Sequence, residues 1–106
     1  WQVYFKFSIT KNMNFIPTEV PGVFIIETKV FNDARGYFYE SNKKEIFDSK
    51  IGSFEVVQKN ESKSNLGLLR GIHFQKGDNV QAKLVRVIKG KVIDVAVDLR
   101  KSSPTF

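Results

Sequence analysis

What most restricts the fold of this chain is its punctuation. From Phe15 onward, short stretches rich in Val, Ile and Phe are cut at close intervals by Gly, Pro, Asn or Asp. β-branched and aromatic residues favour the pleated surface of a sheet, and such stretches bounded by turn residues read as strands. Val23 to Phe31 is the first clear one, introduced by Pro21-Gly22, and Asn32 to Gly36 is the loop that follows. Tyr37 to Glu40 is extended again. Ser41 to Glu45 has the composition of a helix start, Ile46 and Phe47 supply an apolar face, and Gly52 marks the stop.

Further on, Phe54 to Val57, Leu68 to Phe74, Ala82 to Ile88 and Val92 to Leu99 read as strands. Lys76 to Asn79 and Lys89-Gly90-Lys91 read as the turns between them. Val95, Val97 and Leu99 alternate with Asp94, Ala96 and Asp98, the period-two pattern of a half-buried strand. Strand, tight turn and strand at this spacing predict an all-β antiparallel sandwich or barrel with one short helix. Trp1 to Asn12 stand apart. Val3, Phe5, Phe7 and Ile9 alternate with polar residues as a strand would, but Met13 opens a new phase. Residues 1–12 are therefore expected to be an added or upstream segment, the alternative being an extra edge strand, and 13–106 to form one domain, incomplete at its C-terminal end.

With 106 residues a single domain with a modest core is expected. The absence of Cys removes disulfides and thiolate metal sites and suits a reducing cytoplasm. No apolar run approaches the roughly 20 residues of a membrane span, and no basic segment followed by an apolar stretch opens the chain. The net charge is +6, but the Lys and Arg are scattered as on a solvated surface rather than gathered in a block. A basic barrel that stacks single-stranded nucleic acid on exposed aromatics is a possible alternative. It leaves the ordered motifs below unexplained, so no nucleic-acid partner is expected.

The sole His is His73, in Leu69-Arg70-Gly71-Ile72-His73-Phe74-Gln75. On a strand His73 and Gln75 would face away from Ile72 and Phe74, with Arg70, Lys83 and Arg86 nearby in sequence. Neighbouring cations would keep the imidazole neutral, which suits a general base; the plain alternative is a structural or surface His. A cupin-type metal site needs two His one residue apart, then a carboxylate. Here Gln75 stands at the second position, and Lys83 stands at the carboxylate position, six residues intervening before Gly90. A protonated Lys offers no lone pair, so the site is expected to hold no metal and no cofactor. Arg35 can fork onto a phosphate, the aromatics beside it can stack on a base, and Gln58 and Asn60 can bond hydroxyls or simply make turns.

Taken together, five runs resemble the dTDP-4-dehydrorhamnose 3,5-epimerase family. They are Phe31-x-Asp33-x-Arg35-Gly36-x-Phe38-x-Glu40, Gln58-x-Asn60-x-Ser62-x-Ser64, Leu69 to Gln75, Gln81-Ala82-Lys83-Leu84-Val85, and Asp94 to Arg100 with Ser103-Pro104-Thr105. The resemblance implies a cupin-like jelly roll, assembly as a homodimer, and a dTDP-4-dehydro-6-deoxy sugar as substrate. It implies that His73 is the base, that Lys83 steadies the enolate oxygen, and that Arg35, Phe38, Glu40, Gln58, Asn60 and Arg70 bind substrate. In the family the acid Tyr and the Asp paired with the base belong to sequence beyond Phe106. Asp94 and Asp98 are then the carboxylates considered as partners of His73. A non-catalytic sugar-nucleotide-binding jelly roll and a related ketoisomerase are the alternatives.

Overall fold

The turn at Pro21-Gly22 organises the first half of the fold. In the computed structural model, which describes Gln2–Phe7 as a strand and residues 12–106 in full, Val23 donates its N–H to the Val20 carbonyl at 3.0 Å. Gly22 has φ 92°, so Pro21 and Gly22 occupy the positions that a type II turn reserves for them. The Thr18 hydroxyl closes the same turn by donating to the Val23 carbonyl at 3.0 Å. On either side run β2 (Asn14–Pro17) and β3 (Val23–Thr28), paired antiparallel.

β1 (Gln2–Phe7) pairs parallel with β3 on one side and with β6 (Lys83–Arg86) on the other, giving the order β2-β3-β1-β6. The strand anticipated from the alternation in the first residues is thus present between two neighbours, not at an edge. Ser8 to Lys11, including Ile9, lie outside the described residues. The strand expected over Val23 to Phe31 divides at Lys29 into β3 and β4 (Val30–Asp33), and β4 forms a separate hairpin with β5 (Gly36–Tyr39).

α1 (Lys44–Ile51) covers one face of the larger sheet. Its stop at Gly52, where φ is 83°, is the one expected from the sequence. Its start differs: no side chain caps it, and the Lys43 carbonyl accepts from the N–H groups of Ile46 and Phe47. Lys44 and Asp48 pair one turn apart, and Asp48 also accepts the Phe54 N–H at 3.1 Å, which turns the chain back over the helix. Phe47 and Ile26 are fully buried, with Phe15, Phe24, Ile51, Phe54 and Leu84 packed around them.

Beyond Phe54 the pattern reads differently. Of the strands expected there, only Ala82 to Ile88 forms one, as β6; Phe54–Val57, Leu68–Phe74 and Val92–Leu99 are not strands. A single 3-10 turn, Gly77–Asn79, occupies the turn expected at Lys76 to Asn79. Alternation supplies a face, but a strand also needs a ladder partner for its backbone, and no described strand pairs with these segments. Apart from Phe54 and Ala96 their apolar residues stay open: Leu69, Ile72, Ile93 and Val95 are among many exposed large hydrophobics. The chain exposes 9230 Å², against about 6,100 Å² for a folded monomer of its mass. The described residues therefore form a mostly β chain with one short helix and small sheets.

The most ordered feature of the second half is a polar clamp. Asp98, whose side chain is 2% exposed, accepts from Arg100 Nε at 2.8 Å and Nη2 at 2.7 Å, and from the Thr105 hydroxyl at 2.7 Å. Arg100 Nη2 also donates to the Pro21 carbonyl at 2.7 Å, tying this segment to the β2–β3 turn. The Arg100 guanidinium, then Ser103, hold the Asp98 carboxyl well below the usual carboxylate range. A lowered folded-state value means that the clamp is fully present above the unfolded value of about 3.8 and is lost as pH falls through the folded one. Asp98→Asn should therefore lower the thermal midpoint at pH 7 and flatten its fall in acid. Equal acid limbs in melts of the two proteins between pH 2 and 7 would remove the clamp from the stability of the fold.

Candidate active site

Lys83 is positioned by strand register. Lys83 and Val23 both pair with Gln2, and Val85 and Ile25 both pair with Tyr4, so these residues share one face of the sheet. Phe24, Ile26 and Leu84 lie on the opposite face, beneath α1. Val23 and Ile25 line a cavity of about 470 Å³ whose wall includes Thr18, Glu19 and Asp94. Lys83 therefore stands on the cavity side, two strands from Val23, or ~9.5 Å at ordinary strand spacing. Its side chain is exposed.

Arg35, Phe38 and Glu40 belong to the β4–β5 hairpin or follow it directly. The turn is tight because Asp33 pairs with Gly36 in register, and the Asp33 carboxylate accepts the Arg35 backbone N–H at 2.8 Å. The same carboxylate takes Arg35 Nη2 at 2.6 Å and Nε at 3.2 Å. Arg35 thereby pulls the Asp33 carboxyl below its usual range, and Asp33 raises the guanidinium in return. Phe38 lies beside Phe31, ring centroids 6.2 Å apart, and Lys29 Nζ sits 4.3 Å from the Phe31 centroid. Both rings and Glu40 are exposed, so this face of the hairpin offers aromatic surface with cations at its margin.

Gln58, Asn60, Arg70 and His73 lie on the long irregular segment before β6. Gln58 Nε2 donates to Asn60 Oδ1 at 3.1 Å, which brings these two together. Arg70 donates to Ser64 Oγ at 2.9 Å and to the Lys63 carbonyl at 3.2 Å, so its guanidinium is held by its own loop. His73 is exposed, and its expected strand face is absent because Leu68–Phe74 is not a strand. Among the described residues no hydrogen bond or ion pair joins His73 to Lys83, Arg70 or a carboxylate. Asp98, considered as its partner, is instead engaged by Arg100 and Thr105. Asp94 lines the cavity on the Lys83 face.

Two features escaped the sequence reading. One is the bond from Arg86 Nη1 to the Tyr39 hydroxyl, 3.0 Å, which joins β6 to the hairpin across 47 positions. Nothing local marks such a pair. The other is the Asp98 clamp, and a signal for it was present: Asp33-Ala34-Arg35 and Asp98-Leu99-Arg100 repeat the same Asp-x-Arg spacing. In both, the carboxylate accepts the backbone N–H of the Arg two residues on, at 2.8 Å and 3.0 Å, and its guanidinium as well.

Fold and site together define a predominantly β protein with scattered cations, amides and aromatics around a sheet. The chain belongs to the dTDP-4-dehydrorhamnose 3,5-epimerase family, whose model matches residues 17–106. The dTDP-4-dehydrorhamnose 3,5-epimerase of Shigella flexneri is 55% identical over 95 residues, 89% of this chain and 52% of its own length. That of Salmonella typhimurium is 54% identical over 92 residues, 86% and 50% of the two chains. The Methanothermobacter thermautotrophicus protein of the same name is 51% identical over 92 residues, 87% and 49%. This chain thus spans about half the length of these curated relatives. No solved structure matches it significantly.

Proposed function

We propose that this protein acts as a dTDP-4-dehydrorhamnose 3,5-epimerase in dTDP-L-rhamnose biosynthesis, inverting C3 and C5 of dTDP-4-dehydro-6-deoxy-glucose. The observation that carries this reading is the match of the family model across residues 17–106, which contain every motif residue named above. The C4 ketone acidifies the C–H bonds at C3 and C5. His73 removes each proton in turn, the electron pair moves onto the C4 oxygen as an enolate, and an acid returns a proton to the opposite face of the same carbon. Lys83 stabilises the enolate charge, which grows only as the proton leaves, so its effect falls on the rate. Arg35 and Phe38 hold the nucleotide end, with Glu40; Gln58, Asn60 and Arg70 contact sugar or phosphate. The reaction is neutral in electrons and uses neither metal nor cofactor.

In this reading residues 13–106 are part of one cupin-like jelly roll, and residues 1–12 are an added or upstream segment whose strand β1 pairs with β3 and β6 of it. The large exposed apolar surface supports assembly as a homodimer. Among the described residues no helix is long and apolar enough to cross a membrane, and a cytoplasmic location without a nucleic-acid partner fits the Cys-free, evenly charged sequence. A non-catalytic sugar-nucleotide-binding protein is the second reading, favoured by the exposure of His73.

The test is to incubate the protein with the dTDP-4-keto-6-deoxy sugar in D₂O and follow deuterium at each carbon by NMR. Entry at both C3 and C5 is the expected result. Signals that shift on adding dTDP without any exchange would replace the epimerase by the binding protein. Exchange at C3 alone, with the carbonyl moving, would point to the ketoisomerase.

A further inference from the structure

The hairpin and the larger sheet are separate β systems, with no ladder between them. A two-stranded hairpin is at best marginally stable alone, so something must hold this one in place. Its two faces differ. Register puts Phe31 and Phe38 on one face and Val30 and Tyr39 on the other. Phe31 and Phe38 are exposed, whereas Val30 and Tyr39 are half-buried, so the hairpin rests on its Val30–Tyr39 end. Tyr37 stacks on Tyr39 at 6.1 Å and widens that footing.

On β6, Arg86 shares its face with Leu84, which packs against the Ile26–Phe47 core. Leu84 fixes the strand, and Arg86 reaches from its end to the Tyr39 hydroxyl at 3.0 Å. A guanidinium donating to a neutral oxygen forms a charge-assisted bond, and its planar fork sets a direction that an ammonium would not.

We propose that Arg86 is a positioning residue: through Tyr39 it sets the aromatic hairpin at a fixed place relative to the strand that carries Lys83. This rests on the epimerase reading, in which the hairpin holds the nucleotide end of the substrate and Lys83 faces the ketone end. Lys83 and Arg86 leave β6 on opposite faces, so a ligand that reaches both elements passes around this edge strand, which the Arg86–Tyr39 bond ties to the hairpin. Loosening it weakens grip on the nucleotide, and because remote binding orients the reacting carbon, it also lowers turnover.

The experiment compares wild type, Arg86→Gln, Arg86→Lys, Tyr39→Phe and the Arg86→Gln/Tyr39→Phe double variant. dTDP affinity is read by NMR titration, KM and kcat with the keto sugar, and folding by circular dichroism melts. Each of the two disrupting single variants should weaken dTDP binding about tenfold and raise KM more than it lowers kcat. The double variant should be no weaker than either single one, since both remove one interaction. Arg86→Lys should recover only part of the loss. Melting points that fall while dTDP affinity and KM stay at wild-type values would overturn the proposal, as would losses that simply add. Failure of wild type to bind dTDP would instead remove the epimerase reading and this inference with it.

Discussion

Replacing His73 by Asn should abolish deuterium entry at C3 and C5 together, a fall of about 10²–10⁴-fold in exchange rate, the usual worth of a positioned general base. Asn keeps a polar side chain of similar reach but cannot take a proton at neutral pH. His73 is exposed and, among the described residues, holds no structural hydrogen bond, so the substitution should move stability by only about 0.5 kcal/mol. The loss would then belong to chemistry, and dTDP should bind the variant as it binds wild type. Loss at one carbon alone would mean that a different group serves the other. Undiminished exchange at both would take His73 out of the reaction altogether.

Phe47→Ala should cause the largest loss of stability, about 3–5 kcal/mol. Phe47 is fully buried and is the contact through which α1 meets the sheet. Its ring stands edge-on to Phe15 at 5.1 Å and leans on Phe54 at 5.9 Å, joining the helix to β2 and to the returning chain. Such aromatic pairs add about 0.5–1.5 kcal/mol beyond the area they bury. Small domains hold only about 5–15 kcal/mol in total, and among the described residues just Ile26 shares this degree of burial in the core. Urea unfolding followed by circular dichroism measures the change. A loss below about 1 kcal/mol, the range of a tolerant surface site, would mean that α1 does not depend on this contact.

The parts of the fold that were legible in the sequence are those whose cause is local. Gly22, with its positive φ next to Pro21, makes the β2–β3 turn wherever that turn is placed. Gly52 ends α1 for the same backbone reason, and Ile46 and Phe47 mark its apolar side. The Asp33-x-Arg35-Gly36 turn closes through a carboxylate and an N–H two residues apart. The motif residues also identify the family, because residue types in order need no coordinates to be compared.

Other features depended on partners distant in sequence. Leu68–Phe74 and Val92–Leu99 carry the alternation of strands but are not strands, because a ladder is made by two segments and no described strand pairs with them. The face expected for His73 went with the first of these. Asp98 looked like a carboxylate open to His73 until the fold committed it to Arg100 and Thr105. The reach of Arg86 to Tyr39 spans 47 positions with no pattern between them. By itself the sequence determined the turns, the helix stop, the family and the list of reactive side chains, since each follows from a residue and its near neighbours. Only the tertiary structure decided which strands pair, which carboxylate is occupied and which face carries Lys83, because backbone donors and buried charges are satisfied by whatever the folded chain brings to them.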